Sequence, residues 1–375
     1  MKESEEKDGI SAYEIEAGNA IPFKEGFKGN AIPFKEGFKG NAVPFKEGFK
    51  GVSEAGSVVP LLINQGTFGC IYHPGINCNH KPQDMKYVTK IHASNETTTQ
   101  NEIDISKKIQ KIKDYEMYFS PVLENCKVDL AEVDREDVEK CKFIQEDIQN
   151  NVKSMSYMST KIKYIEGDSL YKYVEKQKKK VSANKLYSII SFLYKTLCTN
   201  VKKMSAIKVV HYDLKENNII VTKRGIPIII DFGISIDMEK VKNTKELSFL
   251  KNAFYVYSTD YSPWCIEIVL INYLLHKKRL ASSDDIMRIF DEVMKKNEIS
   301  NVEYLKDSFP EYRENFKTKI ADKYAGKPQL LEYLLSTYEK WDLYSVTMMF
   351  IQILKKTETT PDANHISQIK NILYR

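Results

Sequence analysis

Short apolar runs separated by charged gaps begin near residue 58 and predict a chain whose first half is rich in β-strands. The predicted strands are Val58–Ile63, Cys70–His73, Tyr87–Ile91, Pro121–Val128, Met155–Tyr164, Ile219–Thr222 and Ile226–Ile230. Apolar residues at helical spacing predict one helix among these strands, over Thr97–Ile112, and a longer one over Ala183–Ser205.

The remainder of the chain follows a mainly helical pattern. One helix is predicted over Asp284–Lys296, with Ser282 and Ser283 as N-cap candidates. Another, over Trp341–Leu354, is apolar on almost every side and is typical of a buried central helix. A β-rich part followed by an α-rich part predicts an α+β protein with two lobes. We expect the acidic stretch Asp129–Asp147 to be a solvated loop.

Residues 1–57 differ from the rest of the chain. An 11-residue unit occurs three times in tandem, at Gly18–Lys28, Gly29–Lys39 and Gly40–Lys50. Its glycines and proline break helices and strands, and it is shorter than the ~20–50 residues of a solenoid repeat. The pattern predicts a disordered repeat tail. Its units are either a repeated peptide ligand or a tandem duplication with no binding role, and we favour the duplication.

Composition narrows the class of protein without naming a function. The 56 Lys and Arg residues exceed the 51 Asp and Glu residues by only +5, so we do not expect binding to nucleic acid. No apolar run reaches the ~18 residues that a membrane span needs, and the first residues are acidic and polar rather than a secretory signal. Six cysteines without paired spacing indicate a reducing, cytoplasmic setting rather than a disulfide framework.

Candidate chemistry is concentrated in the loop HYDLKENN, residues 211–218, between a predicted helix and a predicted strand pair. Asp213, Lys215 and Asn218 offer a carboxylate base, a cation and an amide oxygen. Asp231 follows a buried strand and precedes Phe and Gly, a position that packing alone explains poorly. Asn218 and Asp231 together would suit Mg²⁺ held mainly by phosphates.

A glycine-rich hairpin and a strand lysine lie upstream of that loop. Gly66 and Gly69 would let backbone N–H groups approach a phosphate closely. Lys90 has apolar neighbours on its strand, and a partly buried lysine requires an anion. Glu102, on the next predicted helix, can pair with it.

These motifs, in this order, resemble the eukaryotic-type protein kinases. The resemblance runs from Leu61 to Trp264 and resumes at Trp341–Ser345. It implies a two-lobed protein-kinase fold with a small β-rich N-lobe at 58–165 and a helical C-lobe at 166–375. The C-lobe would have a shortened C-terminus and a helical insertion at about 270–335.

The resemblance also implies a role for each motif residue. Lys90 would hold the α- and β-phosphates of ATP and be positioned by Glu102. Asp213 would accept the proton of the substrate hydroxyl, and Asn218 and Asp231 would bind Mg²⁺ or Mn²⁺. The other implied nucleotide contacts are Ile63, Asn64, Gly66, Thr67, Phe68, Gly69, Ile71, Ile162 and Tyr164.

The spacing of Lys215 from Asp213 is the form typical of serine/threonine kinases, so the resemblance implies γ-phosphoryl transfer to Ser and Thr hydroxyls of protein substrates. Tyr212 replaces the arginine that normally receives an activation-segment phosphate, which predicts activity independent of such phosphorylation. Asp342 resembles the helix aspartate that braces the catalytic loop. The oligomeric state is left open.

A narrower similarity connects the HYDLKENN loop, the shortened lobe and Tyr72–Pro74 with kinases of large cytoplasmic DNA viruses, of the iridovirus type. It implies a location in the virion and the cytoplasm of the infected cell. Two alternatives stay open. A small-molecule phosphotransferase would usually lack both Lys215 and the Phe-Gly pair after Asp231. A catalytically weak scaffold would need a distorted lobe.

Overall fold

The computed structural model describes residues 60–66, 69–76, 84–93, 97–128, 140–142, 144–145, 157–244, 247–254, 258, 261–277 and 280–374. These residues form two compact units. The first unit contains 60–170 and 217–235, and the second contains 171–216 and 236–374. The predicted repeat tail lies outside the described residues.

The strands, in chain order, are β1 Leu61–Gly66, β2 Gly69–His73, β3 Tyr87–Ala93, β4 Val122–Val128, β5 Tyr157–Lys163, β6 Gly167–Ser169, β7 Val209–Val210, β8 Ile219–Thr222, β9 Pro227–Ile229 and β10 Ile236–Asp237. The helices are α1 Thr97–Ile109, α2 Leu170–Lys178, α3 Ala183–Ala206, α4 Met238–Asn243, α5 Leu247–Ala253, α6 Ile266–Lys277, α7 Ser283–Lys296, α8 Phe309–Phe316, α9 Gln329–Ser336, α10 Trp341–Thr357 and α11 Ala363–Leu373. Helix α8 continues through a π-helical turn, Lys317–Ala321, into a final turn, Asp322–Tyr324.

The first unit is built on a five-stranded antiparallel sheet with strand order β1-β2-β3-β5-β4. Helix α1 connects β3 to β4 and buries Ile103, Ile105 and Ile109, which recur at helical spacing. The Val122 N–H at the start of β4 donates to Ser106 Oγ of α1 at 2.9 Å. The helix is thereby fixed beside the strand that follows it.

A smaller antiparallel sheet, β6-β8-β9, completes the first unit. All three residues of β9 are buried. Ile229 N–H donates to Tyr118 O at 2.9 Å, and Ile229 O accepts from Ser120 N–H at 3.0 Å. These two bonds set the position of the residues that follow β9, among them Asp231.

The second unit is mainly helical and includes the short pair β7-β10. Helix α10 is buried on almost every side, as its sequence predicted. It packs against α3, where the Tyr194 ring stacks on Phe350 at 4.2 Å and the Tyr194 hydroxyl lies 3.2 Å from Thr347 Oγ1. Among the described residues, no helix is both long and apolar enough to cross a lipid bilayer.

Several predicted elements agree with the structure to within a few residues. The helix predicted over Asp284–Lys296 begins one residue earlier, and Ser282 is its N-cap in a capping box with Asp285. The stretch at about 270–335 was predicted to be helical, and in the structure helices α6 to α9 lie there, from Ile266 to Ser336. Whether this stretch is an insertion remains a prediction.

The cysteines require a correction. Cys70 and Cys141 form a disulfide across 71 residues, and Cys126 is disulfide-bonded as well. The expectation of reduced cysteines is therefore wrong for the described structure. Spacing along the chain gave no signal, because the bond joins strand β2 to a segment that has no hydrophobic periodicity.

The expectation that Asp129–Asp147 is a solvated loop is wrong for its described part. Cys141 and Ile144 are fully buried in a core cluster with Tyr72 and Ile91. Lys142 N–H also donates to Gln65 Oε1 of β1 at 3.1 Å. The prediction rested on the acidic composition of this stretch and missed Cys141 and Ile144, which pack against one face of the sheet.

Candidate active site

A buried lysine lies between two carboxylates in the first unit. Lys90 is in the middle of β3, hydrogen-bonded on both sides through the pairs with Ile71 and Thr160. Its Nζ lies 3.0 Å from Glu102 Oε2 and 3.1 Å from Asp231 Oδ1. The predicted pairing of Lys90 with Glu102 is present, and Asp231 joins it from the end of β9.

The electrostatics of this cluster keep the lysine charged. Burial alone would lower the pKa of Lys90, but the nearby carboxylates of Asp231 and Glu102 raise it by more, so that the net shift is upward. Burial raises the pKa of the Glu102 carboxyl, and the Lys90 ammonium opposes that rise. The result is a buried Lys90 that stays charged between two carboxylates.

The turn after β9 places the Asp231 carboxylate next to Lys90. Asp231 has a φ of +64°, a left-handed conformation that is uncommon for a residue other than glycine. Phe232 is buried against Phe119, with ring centroids 6.4 Å apart. Asn101 Nδ2 donates to Gly233 O at 3.2 Å and to Ser235 O at 2.8 Å, which ties this turn to helix α1.

Asn218 lies beside the same turn. Its backbone carbonyl accepts the Ile230 N–H at 3.0 Å, one residue before Asp231, and its side chain is buried. An amide oxygen and a carboxylate are hard donors that fit Mg²⁺. No group of three or more His, Cys, Asp or Glu side chains suited to a metal occurs in the described part of the chain. A metal here would take most of its ligands from phosphate and water.

The glycine-rich hairpin is formed by β1 and β2, where Gly66 pairs with Gly69. Gly69 has a φ of +144°, and a Cβ built there would lie only 2.2 Å from Ile91 O, so no other residue fits. Asn64 Oδ1 accepts the neighbouring Gln65 N–H at 2.9 Å, and Ile63 is half-buried on the same strand. Two further predicted contacts, Thr67 and Phe68, lie outside the described residues.

The end of strand β5 holds the remaining predicted nucleotide contacts. Ile162 pairs with Val88 of β3, and β5 ends one residue later. Tyr164 N–H donates to Lys86 O at 2.8 Å, and the Tyr164 ring stacks on His73 at 4.0 Å. This connection between β5 and β6 is therefore fixed by both backbone and side chain.

The carboxylate of the HYDLKENN loop, Asp213, lies in the second unit. Lys215 Nζ lies 3.1 Å from Asp213 Oδ1 and 2.9 Å from Asp213 Oδ2, a two-point ion pair. The Tyr261 hydroxyl also donates to Asp213 Oδ1. Both oxygens of the carboxylate thus accept hydrogen bonds within this unit.

Helix α10 braces the loop, as the sequence predicted. Asp342 Oδ2 accepts the His211 N–H at 2.7 Å, and Oδ1 accepts the Tyr212 N–H at 3.2 Å. Burial raises the pKa of Asp342, while its contacts with His211 and the Tyr212 N–H oppose the rise. The two buried loop donors are thereby satisfied by one side chain.

Tyr212 turns inward and joins an aromatic cluster. Its φ is +69°, and its ring lies 4.9 Å from Trp264 and 5.8 Å from Phe254, centroid to centroid. Trp264 Nε1 donates to Tyr212 O at 2.8 Å. Sequence reasoning missed Trp264 and Tyr261. The available signal was the two large aromatics in Asp-Tyr-Ser-Pro-Trp, residues 260–264, where apolar periodicity is absent.

Comparison with known protein families adds one finding. The family model described as protein tyrosine and serine/threonine kinase matches residues 148–254, which is 107 of the 375 residues. The matched stretch contains Asp213, Lys215, Asn218 and Asp231, whereas Lys90 and Glu102 precede it. A search of curated proteins found no match. The family match supports a protein-kinase family for this chain.

Proposed function

We propose that this protein is a serine/threonine protein kinase that transfers the γ-phosphoryl group of Mg-ATP to Ser and Thr hydroxyls of protein substrates. The family match supports a protein kinase in general. The single observation that carries the proposal is the buried Lys90 ammonium held between the carboxylates of Glu102 and Asp231. Lys215, paired with Asp213, supports the choice of Ser and Thr as acceptors.

Lys90 is suited to bind a polyphosphate. A buried ammonium is stable only with anionic partners, and Glu102 provides one that is buried even more deeply than the lysine. Asp231 is different, because its side chain is 47% exposed. In this proposal Lys90 binds the α- and β-phosphates from that exposed side, and Glu102 fixes its orientation.

Asn218 and Asp231 would hold the magnesium ion that accompanies ATP. When bound, the ion would supply positive charge to the phosphate oxygens. The hydrogen bond between Asn218 O and Ile230 N–H brings the backbone of Asn218 next to the residue that precedes Asp231, which supports this assignment.

Asp213 is the proposed base for the acceptor hydroxyl. It accepts the hydroxyl proton as the phosphoryl group is transferred, and Lys215 stabilises the charge on the transferring phosphoryl oxygens. No covalent intermediate with the protein is formed. Catalysis comes from positioning and from fixed charge.

A viral setting is the narrower part of this proposal. It is supported by the similarity of the HYDLKENN loop to kinases of large cytoplasmic DNA viruses, and it implies the virion and the infected-cell cytoplasm.

The test is a transfer assay with the purified full chain, labelled ATP, Mg²⁺ and a peptide library that contains Ser, Thr or Tyr as the only hydroxyl acceptor. We expect label on Ser and Thr peptides. Asp213→Asn and Lys90→Met should each reduce the rate by about 10²-fold to 10⁴-fold, the range for loss of a positioned base or charge. Asp284→Asn and Lys107→Met, which change exposed residues of α7 and α1, serve as matched controls.

Three results would contradict the proposal. Absence of transfer by the wild-type chain would exclude the kinase activity. A normal rate for Asp213→Asn, in a variant with an unchanged thermal unfolding midpoint, would exclude the mechanism. Label found only on Tyr peptides would exclude the Ser/Thr assignment and keep the kinase.

A further inference from the structure

A tyrosine hydroxyl is hydrogen-bonded to the carboxylate that we assign as the base. Tyr261, 48 residues after Asp213, donates its hydroxyl hydrogen to Asp213 Oδ1. This is the same interaction that the hydroxyl of an acceptor residue must make before its proton is transferred. Tyr261 therefore presents an internal hydroxyl at the position that an acceptor needs.

The tyrosine is held in place by aromatic packing. Its ring meets Trp264 edge to face, with centroids 4.9 Å apart. Trp264 is in turn anchored by its Nε1 hydrogen bond to Tyr212 O, within the loop that carries Asp213. Burial and the nearby Asp213 carboxylate raise the pKa of the Tyr261 phenol, so the hydroxyl stays protonated and remains a donor.

Positioning of Asp213 does not require this bond. Lys215 already contacts both oxygens of the Asp213 carboxylate, at 3.1 and 2.9 Å, and fixes its rotation. The Tyr261 hydroxyl adds a second donor to Oδ1 alone. It thereby contacts one of the two oxygens that could accept the acceptor's proton.

We propose that Tyr261 is a gating residue that competes with the acceptor hydroxyl for Asp213 Oδ1. The inference rests on the proposed kinase function. An acceptor segment must displace the phenol before transfer, so part of its binding free energy is consumed in breaking one hydrogen bond to a charged group. The contacts among Tyr212, Trp264 and Tyr261 would then affect the affinity for the acceptor without changing the affinity for the nucleotide.

The test compares the full chain with Tyr261→Phe, which removes the hydroxyl and keeps the ring against Trp264. The acceptor is the best Ser or Thr peptide from the library assay above. We expect the KM for that peptide to fall about tenfold to a hundredfold, the effect of one hydrogen bond to a charged group. The KM for ATP and kcat should stay within about twofold. Tyr194→Phe is the matched control, because it removes a buried hydroxyl that contacts Thr347 of α10.

The outcomes separate this inference from the kinase proposal. An unchanged peptide KM in an active Tyr261→Phe enzyme would overturn the gate and leave the kinase intact. A lower kcat with an unchanged peptide KM would make Tyr261 a positioning residue and would also overturn it. A wild-type chain without transfer activity would remove the kinase function and the gate together.

Discussion

At the residue scale, one carboxylate of α10 satisfies two backbone donors of the loop that carries Asp213. Asp342 is buried and accepts the N–H groups of both His211 and Tyr212. A buried donor that loses its acceptor costs about 1–3 kcal/mol, because water does not replace the bond. The position of Asp213 therefore depends on Asp342 through these two bonds.

We predict that Asp342→Ala lowers the free energy of unfolding by about 2–4 kcal/mol, since it leaves two buried donors without this acceptor. Asp342→Asn keeps one acceptor oxygen and should lose roughly half as much. Urea unfolding measures both values. The control is Asp291→Asn, whose half-exposed pair with Arg313 should be worth no more than about 1 kcal/mol. Equal stability of Asp342→Ala and the wild type would contradict the bracing role.

Residue contacts could be predicted only where a motif defined both partners. Lys90 on a strand and Glu102 on the next helix are close in sequence, and their pairing followed from that spacing. Tyr261 and Asp213 are 48 residues apart and share no repeated pattern. Their contact depends on how Trp264 packs against Tyr212, which no one-dimensional signal records.

At the element scale, a strong hydrophobic periodicity predicted the ends of a helix accurately, and elements without a clear periodicity were not predicted. The helix predicted over Ala183–Ser205 spans Ala183–Ala206. Helix α1 ends at Ile109, three residues before the predicted end. Beyond it the backbone changes to the tighter i+3 pattern of a 3₁₀ turn, in which Lys111 N–H donates to Lys108 O and Ile112 N–H donates to Ile109 O. The two-residue strands β7 and β10 are too short for any period to appear and were not predicted.

The disulfide between Cys70 and Cys141 joins two elements that the sequence did not relate. Cys70 lies in β2, directly after Gly69 of the glycine-rich hairpin, and Cys141 is a buried residue of the segment that precedes β5. Closing a 71-residue loop restricts the unfolded chain, and such cross-links typically contribute about 2–4 kcal/mol.

We therefore predict that Cys141→Ser lowers the free energy of unfolding by about 2–4 kcal/mol in non-reducing buffer, measured by urea unfolding. The variant should also gain a thiol at Cys70 that reacts with a thiol reagent after denaturation. Cys198→Ser is the control, because Cys198 is a free thiol. Unchanged stability together with one thiol fewer than in the wild type would show that the bond does not form in solution.

At the scale of the whole molecule, the chemistry that we assign lies between residues 63 and 261. The first unit supplies Lys90, Glu102, Asn218 and Asp231, and the second supplies Asp213, Lys215 and Tyr261. The chain crosses between the units inside the HYDLKENN loop, after Glu216. That loop therefore carries residues of both units within eight positions, so a single sequence motif contains candidate residues from each unit.

The repeats at Gly18–Lys50 lie outside this assigned chemistry and lead to the last prediction. Deleting residues 1–56 should leave kcat, the KM for ATP and the KM for the acceptor peptide within about twofold, because every assigned group follows the deletion. The reason lies in the sequence, since a unit with two glycines and one proline in 11 residues has little capacity to form a packed face.

Steady-state kinetics of the full and shortened chains provide the measurement, with equal thermal unfolding midpoints as the control. A peptide KM that rises severalfold on deletion would show that the repeats bind the acceptor, and a rise in the KM for ATP would show that they act on the first unit.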